Sequence, residues 1–283
     1  MLRLIATCAG ALIATAAVAQ DALLDRGSYL VNNIGACGNC HTPREKGVPD
    51  LSKRLSGGFQ TFTEPWFVLK GSNITPDPET GIGRWSVADL KRGLIEGIRP
   101  SGTPLAPIMP FPFFNVLTTG DLDAMVAYLR SLPAIRNEVQ PPVYKATAPK
   151  EAVPGAERAM TEDELRDPVK RGFYLASLAH CMACHSRRSE DEPPDFKNAW
   201  GAGGRIFRGG FGESVAANIS AHKTKGIGAW SDAEVRRALV EGVSRDGRKL
   251  KPPMLDYVAY YKTWSDADMT ALIAWMRAIP PVE

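Results

Sequence analysis

One pentapeptide pattern occurs twice in this chain and governs what the rest can become. The copies are Cys37-Gly38-Asn39-Cys40-His41 and Cys181-Met182-Ala183-Cys184-His185. C-x-x-C-H is the attachment pattern of c-type haem. Two thiols about one helical turn apart can each add to one of the two haem vinyl groups, and the adjoining histidine then lies under the ring, where its imidazole can bind the iron. A redox dithiol beside a histidine, or half a zinc site, would show the same spacing; a zinc site built from both copies would use all four cysteines and leave the histidines over. Two copies in one chain favour haem. Cys37, Cys40, Cys181 and Cys184 are the expected covalent attachment points for two haem c groups, with His41 and His185 as proximal iron ligands.

The remaining composition narrows the setting. At 283 residues the chain has length for two domains. A formal net charge of +3 gives no polybasic case for nucleic acid or an anionic membrane. Residues 1–19 read as a secretory signal peptide. Arg3 supplies the positive start, Leu4 to Ala17 is an apolar run too short for a secure transmembrane span, and Ala17-Val18-Ala19 is a small-x-small cleavage site. Cleavage removes Cys8 and leaves four cysteines, all inside the two motifs. In an oxidising compartment four thiols could form two disulfides; thioether bonds to haem account for all of them instead. The expected mature protein is soluble, periplasmic and without an integral membrane segment.

The chain also repeats itself. Gly27-Ser28-Tyr29-Leu30 recurs as Gly172-Phe173-Tyr174-Leu175, Asn73-Ile74-Thr75 as Asn218-Ile219-Ser220, and Gly81-Ile82-Gly83-Arg84-Trp85-Ser86 as Gly226-Ile227-Gly228-Ala229-Trp230-Ser231, each 145 residues on. Each half therefore holds one motif, which predicts a first domain over 20–133, a Pro-rich, partly extended linker over 134–167, and a second domain over 168–283. The local pattern is helical. Helices are expected over 22–36 and 168–183, running into the motifs, from the capping-box-like Ser86 and Ser231 to Glu96 and Glu241, and over about 119–131 and 265–278. No period-2 strand is legible. The Gly/Pro-rich stretches 42–83 and 186–228 are expected to be loops wrapped on the cofactor.

The motif supplies only one axial ligand. Leu105-Ala106-Pro107-Ile108-Met109-Pro110 aligns with Leu250-Lys251-Pro252-Pro253-Met254-Leu255 at the same offset. Met109 and Met254 are thus equivalent, each in a Pro-rich loop before the last helix, and a thioether is a soft iron ligand that such a loop can hold. Met125, Met269 and Met276 read as core filler on helix faces, Met160 as linker, and Met182 as a non-ligand in a variable position. His180 and His222 read as surface or hydrogen-bonded histidines, with axial ligation or a propionate partner as the functional alternative. Trp85 and Trp230 either pack as core or bind a propionate, and Asn73 and Asn218 either orient a propionate or make a turn.

The run from Asn73 to Ser86, Asn-Ile-Thr-Pro-Asp-Pro-Glu-Thr-Gly-Ile-Gly-Arg-Trp-Ser, with Met109 after it, resembles the cytochrome c subunits of bacterial alcohol, gluconate and sorbitol dehydrogenases. The second half carries a degenerate version. The resemblance implies an all-α fold of two tandem class I cytochrome c domains, each with a covalently bound haem, and His41/Met109 and His185/Met254 as axial pairs. It also implies electron transfer from a periplasmic dehydrogenase to a downstream cytochrome, oxidase or quinone-linked acceptor, with no catalytic residues of its own. Those subunits generally carry three haem motifs; this chain carries two. The competing reading is a dihaem enzyme, resembling thiosulfate dehydrogenase or a dihaem peroxidase, which would need a displaceable axial ligand at one haem.

Overall fold

The computed structural model describes residues 18–58, 61–147, 152–186 and 193–283. Most of the expected signal segment lies outside the described residues; Val18 and Ala19 are helical. The first half contains α1 (residues 18–29, continuing as a π-helical turn over Leu30–Ile34), α2 (Gly38–His41), α3 (Val87–Ile95), α4 (Phe111–Phe114) and α5 (Thr119–Ser131). The second half contains α6 (Pro168–Leu178), α7 (Cys181–His185), α8 (Asp232–Glu241), α9 (Met254–Tyr261) and α10 (Asp266–Ala278).

Local chemistry sets these boundaries. Ser86 and Asp89 form a reciprocal capping box at the start of α3, as Ser231 and Glu234 do for α8. Thr118 and Ser265 cap α5 and α10 by accepting from the backbone N–H of Asp121 and Asp268. Asp167 caps α6, with Pro168 at its first position. Gly97 and Gly242 end the middle helices in the left-handed region, at φ 66° and 69°.

In each half the N-terminal helix crosses the C-terminal one, and a glycine lies at the crossing. A Cβ on Gly27 would overlap the Ala124 carbonyl, and one on Gly172 would overlap that of Ala271. Leu122, Met125, Val126 and Leu129 from α5, and Met269, Leu272, Ile273 and Met276 from α10, are buried. They belong to one core cluster that spans both halves.

Two expectations change here. The stretches between the motifs and the middle helices are not unstructured. β1 (Arg44–Glu45) pairs with β2 (Val48–Pro49), β3 (Thr61–Glu64) with β4 (Phe67–Lys70), and β6 (Ile206–Gly209) with β7 (Gly212–Val215), all antiparallel. The fold is mainly helical with small hairpins rather than all-α. Strands of two to four residues are too short to display an alternation. The β3–β4 and β6–β7 hairpins are themselves 145 residues apart and share one register, Thr61↔Lys70 against Ile206↔Val215.

The segment expected as a linker is more tightly held than an extended strap. Its β5 (Val143–Tyr144) pairs with β4. Asn137 donates to the Ser56 carbonyl at 3.0 Å. Val153, Ala156 and Met160 are buried, and the Met160 N–H donates to the Val116 carbonyl at 2.9 Å. Met160 is therefore core.

The halves meet by exchanging equivalent groups. Arg26 pairs with Asp121 through two 2.7 Å hydrogen bonds, and the Tyr174 hydroxyl donates to the same carboxylate from the other half at 2.5 Å. Arg171 pairs with Asp268, and the Tyr29 hydroxyl donates to it across the boundary at 2.8 Å. Likewise α4 packs on α6, and α9 packs on the π-turn that ends α1. Tyr29 and Tyr174 are equivalent in the repeat, as are Arg26 and Arg171, so the contact is close to two-fold symmetric.

Candidate haem sites

In each half a left-handed residue, Ala36 at φ 46° and His180 at φ 44°, ends the N-terminal helix and turns the chain into the motif. The motif then occupies one helical turn, closed by the His41 N–H donating to the Cys37 carbonyl at 3.0 Å. This places both thiols and the imidazole around one turn. Cys37, Cys40, Cys181 and Cys184 form no disulfide. Burial pushes the thiols of Cys37 and Cys181 up to about 12 and that of Cys40 up to about 11. Among the described residues no group of three or more His, Cys, Asp or Glu side chains is placed to hold a metal ion.

The two histidines are held identically. His41 Nδ1 lies 2.7 Å from the Ser72 carbonyl, and His185 Nδ1 lies 2.7 Å from that of Ala217. A carbonyl only accepts, so Nδ1 carries the proton and Nε2 is left with its lone pair. Burial lowers both pKa values, with the carbonyl hydrogen bond opposing it, which keeps the rings neutral. A ring oriented by its second nitrogen in this way is the usual arrangement of a metal-ligating histidine.

The Met-bearing segments are tied by matching contacts. The Leu105 N–H donates to the Gly97 carbonyl at 2.6 Å and the Leu250 N–H to the Gly242 carbonyl at 2.8 Å. The bridges Ile98↔Pro104 and Val243↔Lys249 close both loops. Met109 precedes α4, but Met254 is the first residue of α9 rather than part of a loop. Both Met side chains are only partly buried. So are Cys37 and Cys181, Ile74 and Ile219, Trp85 and Trp230, and Ile95 and Val240, all packed against the core. Each half thus carries the same set of partly buried apolar side chains together with an imidazole oriented through Nδ1, a pairing of features that fits a haem.

Residues 169–280 match the cytochrome c family model. This chain contains a cytochrome c domain. The chain is 30% identical over an alignment of 284 residues to the cytochrome c subunit of the quinone alcohol dehydrogenase of Gluconobacter oxydans, covering 93% of this chain and 56% of that protein. It is also 30% identical over 283 residues to the fructose dehydrogenase cytochrome subunit of Gluconobacter japonicus, covering 94% and 54%. A diheme cytochrome c-type protein of Cereibacter sphaeroides is 28% identical over 262 residues, 88% of this chain and 83% of that one. The chain therefore spans little more than half the length of the first two relatives.

Other expected site residues take structural roles. In the cytochrome c domain Asn218 accepts from the N–H and hydroxyl of Ser220 and donates to the Val282 carbonyl at 2.6 Å; Asn73 does the same with Thr75 and Ile135. Both make turns that anchor the segment after the last helix. The Trp85 and Trp230 carbonyls accept from Arg130 and Arg277. His222 accepts from the N–H groups of Thr224 and Lys225 through Nδ1. It stands where Asp77 makes the same turn in the first half. His180 is partly buried against the Tyr257 ring, and burial pushes its pKa down to about 4. Tyr257, Tyr261 and Asn39 were not singled out by sequence, since their partners lie across the molecule.

Proposed function

We propose that the chain is a dihaem electron carrier of tandem cytochrome c domains, 20–133 and 168–283, joined by residues 134–167. Cys37 and Cys40 hold one haem c and Cys181 and Cys184 the other. His41/Met109 and His185/Met254 are the axial pairs. The observation that carries this reading is the matched hold on the two imidazoles, each with Nδ1 on a backbone carbonyl and Nε2 left with its lone pair.

When bound, a c haem supplies a one-electron iron couple whose potential follows its axial ligands and burial. The residues do the rest. The carbonyls of Ser72 and Ala217 fix tautomer and ring orientation. Met109 and Met254 would each hold the iron through a soft thioether, the second protein ligand of each haem. The named relatives support a dehydrogenase as electron donor; a cytochrome, oxidase or quinone-linked acceptor is the proposed next step. The apolar start of the sequence supports a periplasmic site. No helix among the described residues is long and apolar enough to cross a membrane.

Optical, magnetic circular dichroism and EPR spectra of the oxidised protein are expected to report two low-spin His/Met haems. Met109→Ala and Met254→Ala should each lower one midpoint potential and convert one haem to a high-spin form. A native high-spin haem that turned over thiosulfate or peroxide would overturn the carrier reading. His222, committed through Nδ1 to a turn, gives no support to an enzyme with an exchanged ligand.

A further inference from the structure

The helix α9 stands between the two attachment motifs. Met254, Tyr257 and Tyr261 are three and four residues apart on it and share one face. The Tyr257 hydroxyl is close enough to Cys40, to Cys184 and to the side chain of Asn39, which lies between Cys37 and Cys40, to interact with all three. Asn39 is itself held by Arg44, whose Nη2 donates to its Oδ1 at 2.8 Å. The other side of Tyr257 meets His180, the residue before Cys181, edge-on with ring centroids 6.1 Å apart. One turn further on, the Tyr261 hydroxyl lies beside the Cys181 thiol. The Tyr260 hydroxyl lies beside Gly38, 3.9 Å from where a Cβ would stand.

A second connection crosses nearby. Arg205 Nη1 is 4.0 Å from Cys184 Sγ, while Nη2 pairs with Glu64 of the first half at 3.5 Å. The Trp264 indole N–H donates to the Asn33 carbonyl at 3.2 Å. The motifs thus face one another, with the Tyr257 ring as the side chain that touches both of their flanks. The first half places Pro112 at the equivalent position, so the device is one-sided.

We propose that Tyr257 is the positioning residue that sets the two haem-attachment sites against each other, so that an electron passes directly between the halves at this point. The inference rests on the dihaem reading above. One iron is oxidised from ferrous to ferric as the other is reduced from ferric to ferrous; no bond forms or breaks, and no further oxidant or reductant enters. Tyr257 lies one turn from Met254, the residue that would bind the second iron.

The test uses the holoprotein with both haems. One haem is reduced by a light pulse and the approach to equilibrium within the molecule is followed, alongside EPR of the magnetic interaction between the two ferric haems. Tyr257→Phe keeps the ring and should leave the rate within a factor of about two. Tyr257→Ala should slow it about tenfold and weaken the magnetic interaction, while each haem keeps its His/Met spectrum. Asn39→Ala leaves α9 intact and should shift both readouts in the same direction, which keeps the test decisive if Tyr257→Ala fails to fold. Unchanged rates and coupling in Asn39→Ala and a folded Tyr257→Ala, or a wild-type rate that grows with protein concentration, would overturn the inference and leave the dihaem reading intact. Wild-type spectra lacking two His/Met haems would remove both.

Discussion

At Gly27 and Gly172 the lack of a side chain is what lets two helices touch. The atom that a Cβ would meet is a backbone carbonyl, which cannot rotate away. Gly27→Ala must therefore push α1 off α5 and is expected to cost about 3 kcal/mol. A guanidinium unfolding curve of the holoprotein checks this, and an unchanged midpoint would mean that the crossing relaxes freely. These glycines stand in the sequence repeat, as do His41 and His185. The motif was legible because thioether chemistry needs its residues contiguous in the chain. His180 was less legible: nothing local marks a histidine whose surroundings are a tyrosine 77 residues away. The same holds for Asn39, a variable position of the motif whose partner sits in the other half.

The helices were legible wherever their ends carry their own signals. Ser86 and Ser231 each open a helix through a reciprocal box with the residue three positions on. Ser86→Ala and Ser231→Ala should each lower stability by about 1 kcal/mol, read as a small drop in Tm. If the two losses differ widely, the halves are not equally supported by their middle helices. Where the signals are ambiguous the reading failed. Pro252-Pro253 before Met254 reads in the sequence as a loop, yet proline also suits the start of a helix, and α9 begins there. The hairpins left no trace because their strands are too short for a period to emerge. Burial of Val153, Ala156 and Met160 was hidden by the charges and prolines around them, which describe the segment's average and not its anchors.

Across the whole molecule the boundary between halves is built from paired hydrogen bonds to two carboxylates. Tyr29 and Tyr174 each reach across to an aspartate already held by an arginine of its own half. Hydrogen bonds to charged groups contribute about 1.5–3 kcal/mol each. The double variant Tyr29→Phe, Tyr174→Phe is expected to lose both and to split a single unfolding transition into two, one for each half. Calorimetry distinguishes the cases, and one sharp transition in the double variant would place the coupling elsewhere, in the core that spans both halves.

That exchange of equivalent groups also bears on how such a chain arises. A surface that offers the same residues to its own copy is the surface of a homodimer. The molecule is laid out as one unit set against a near-copy of itself, with the joining segment fixing the stoichiometry at one to one. Freedom to vary is unequal: Tyr29 is tied to Asp268 and Tyr174 to Asp121, so each pair changes together. Ala36 and His180, which turn the same left-handed corner, already differ.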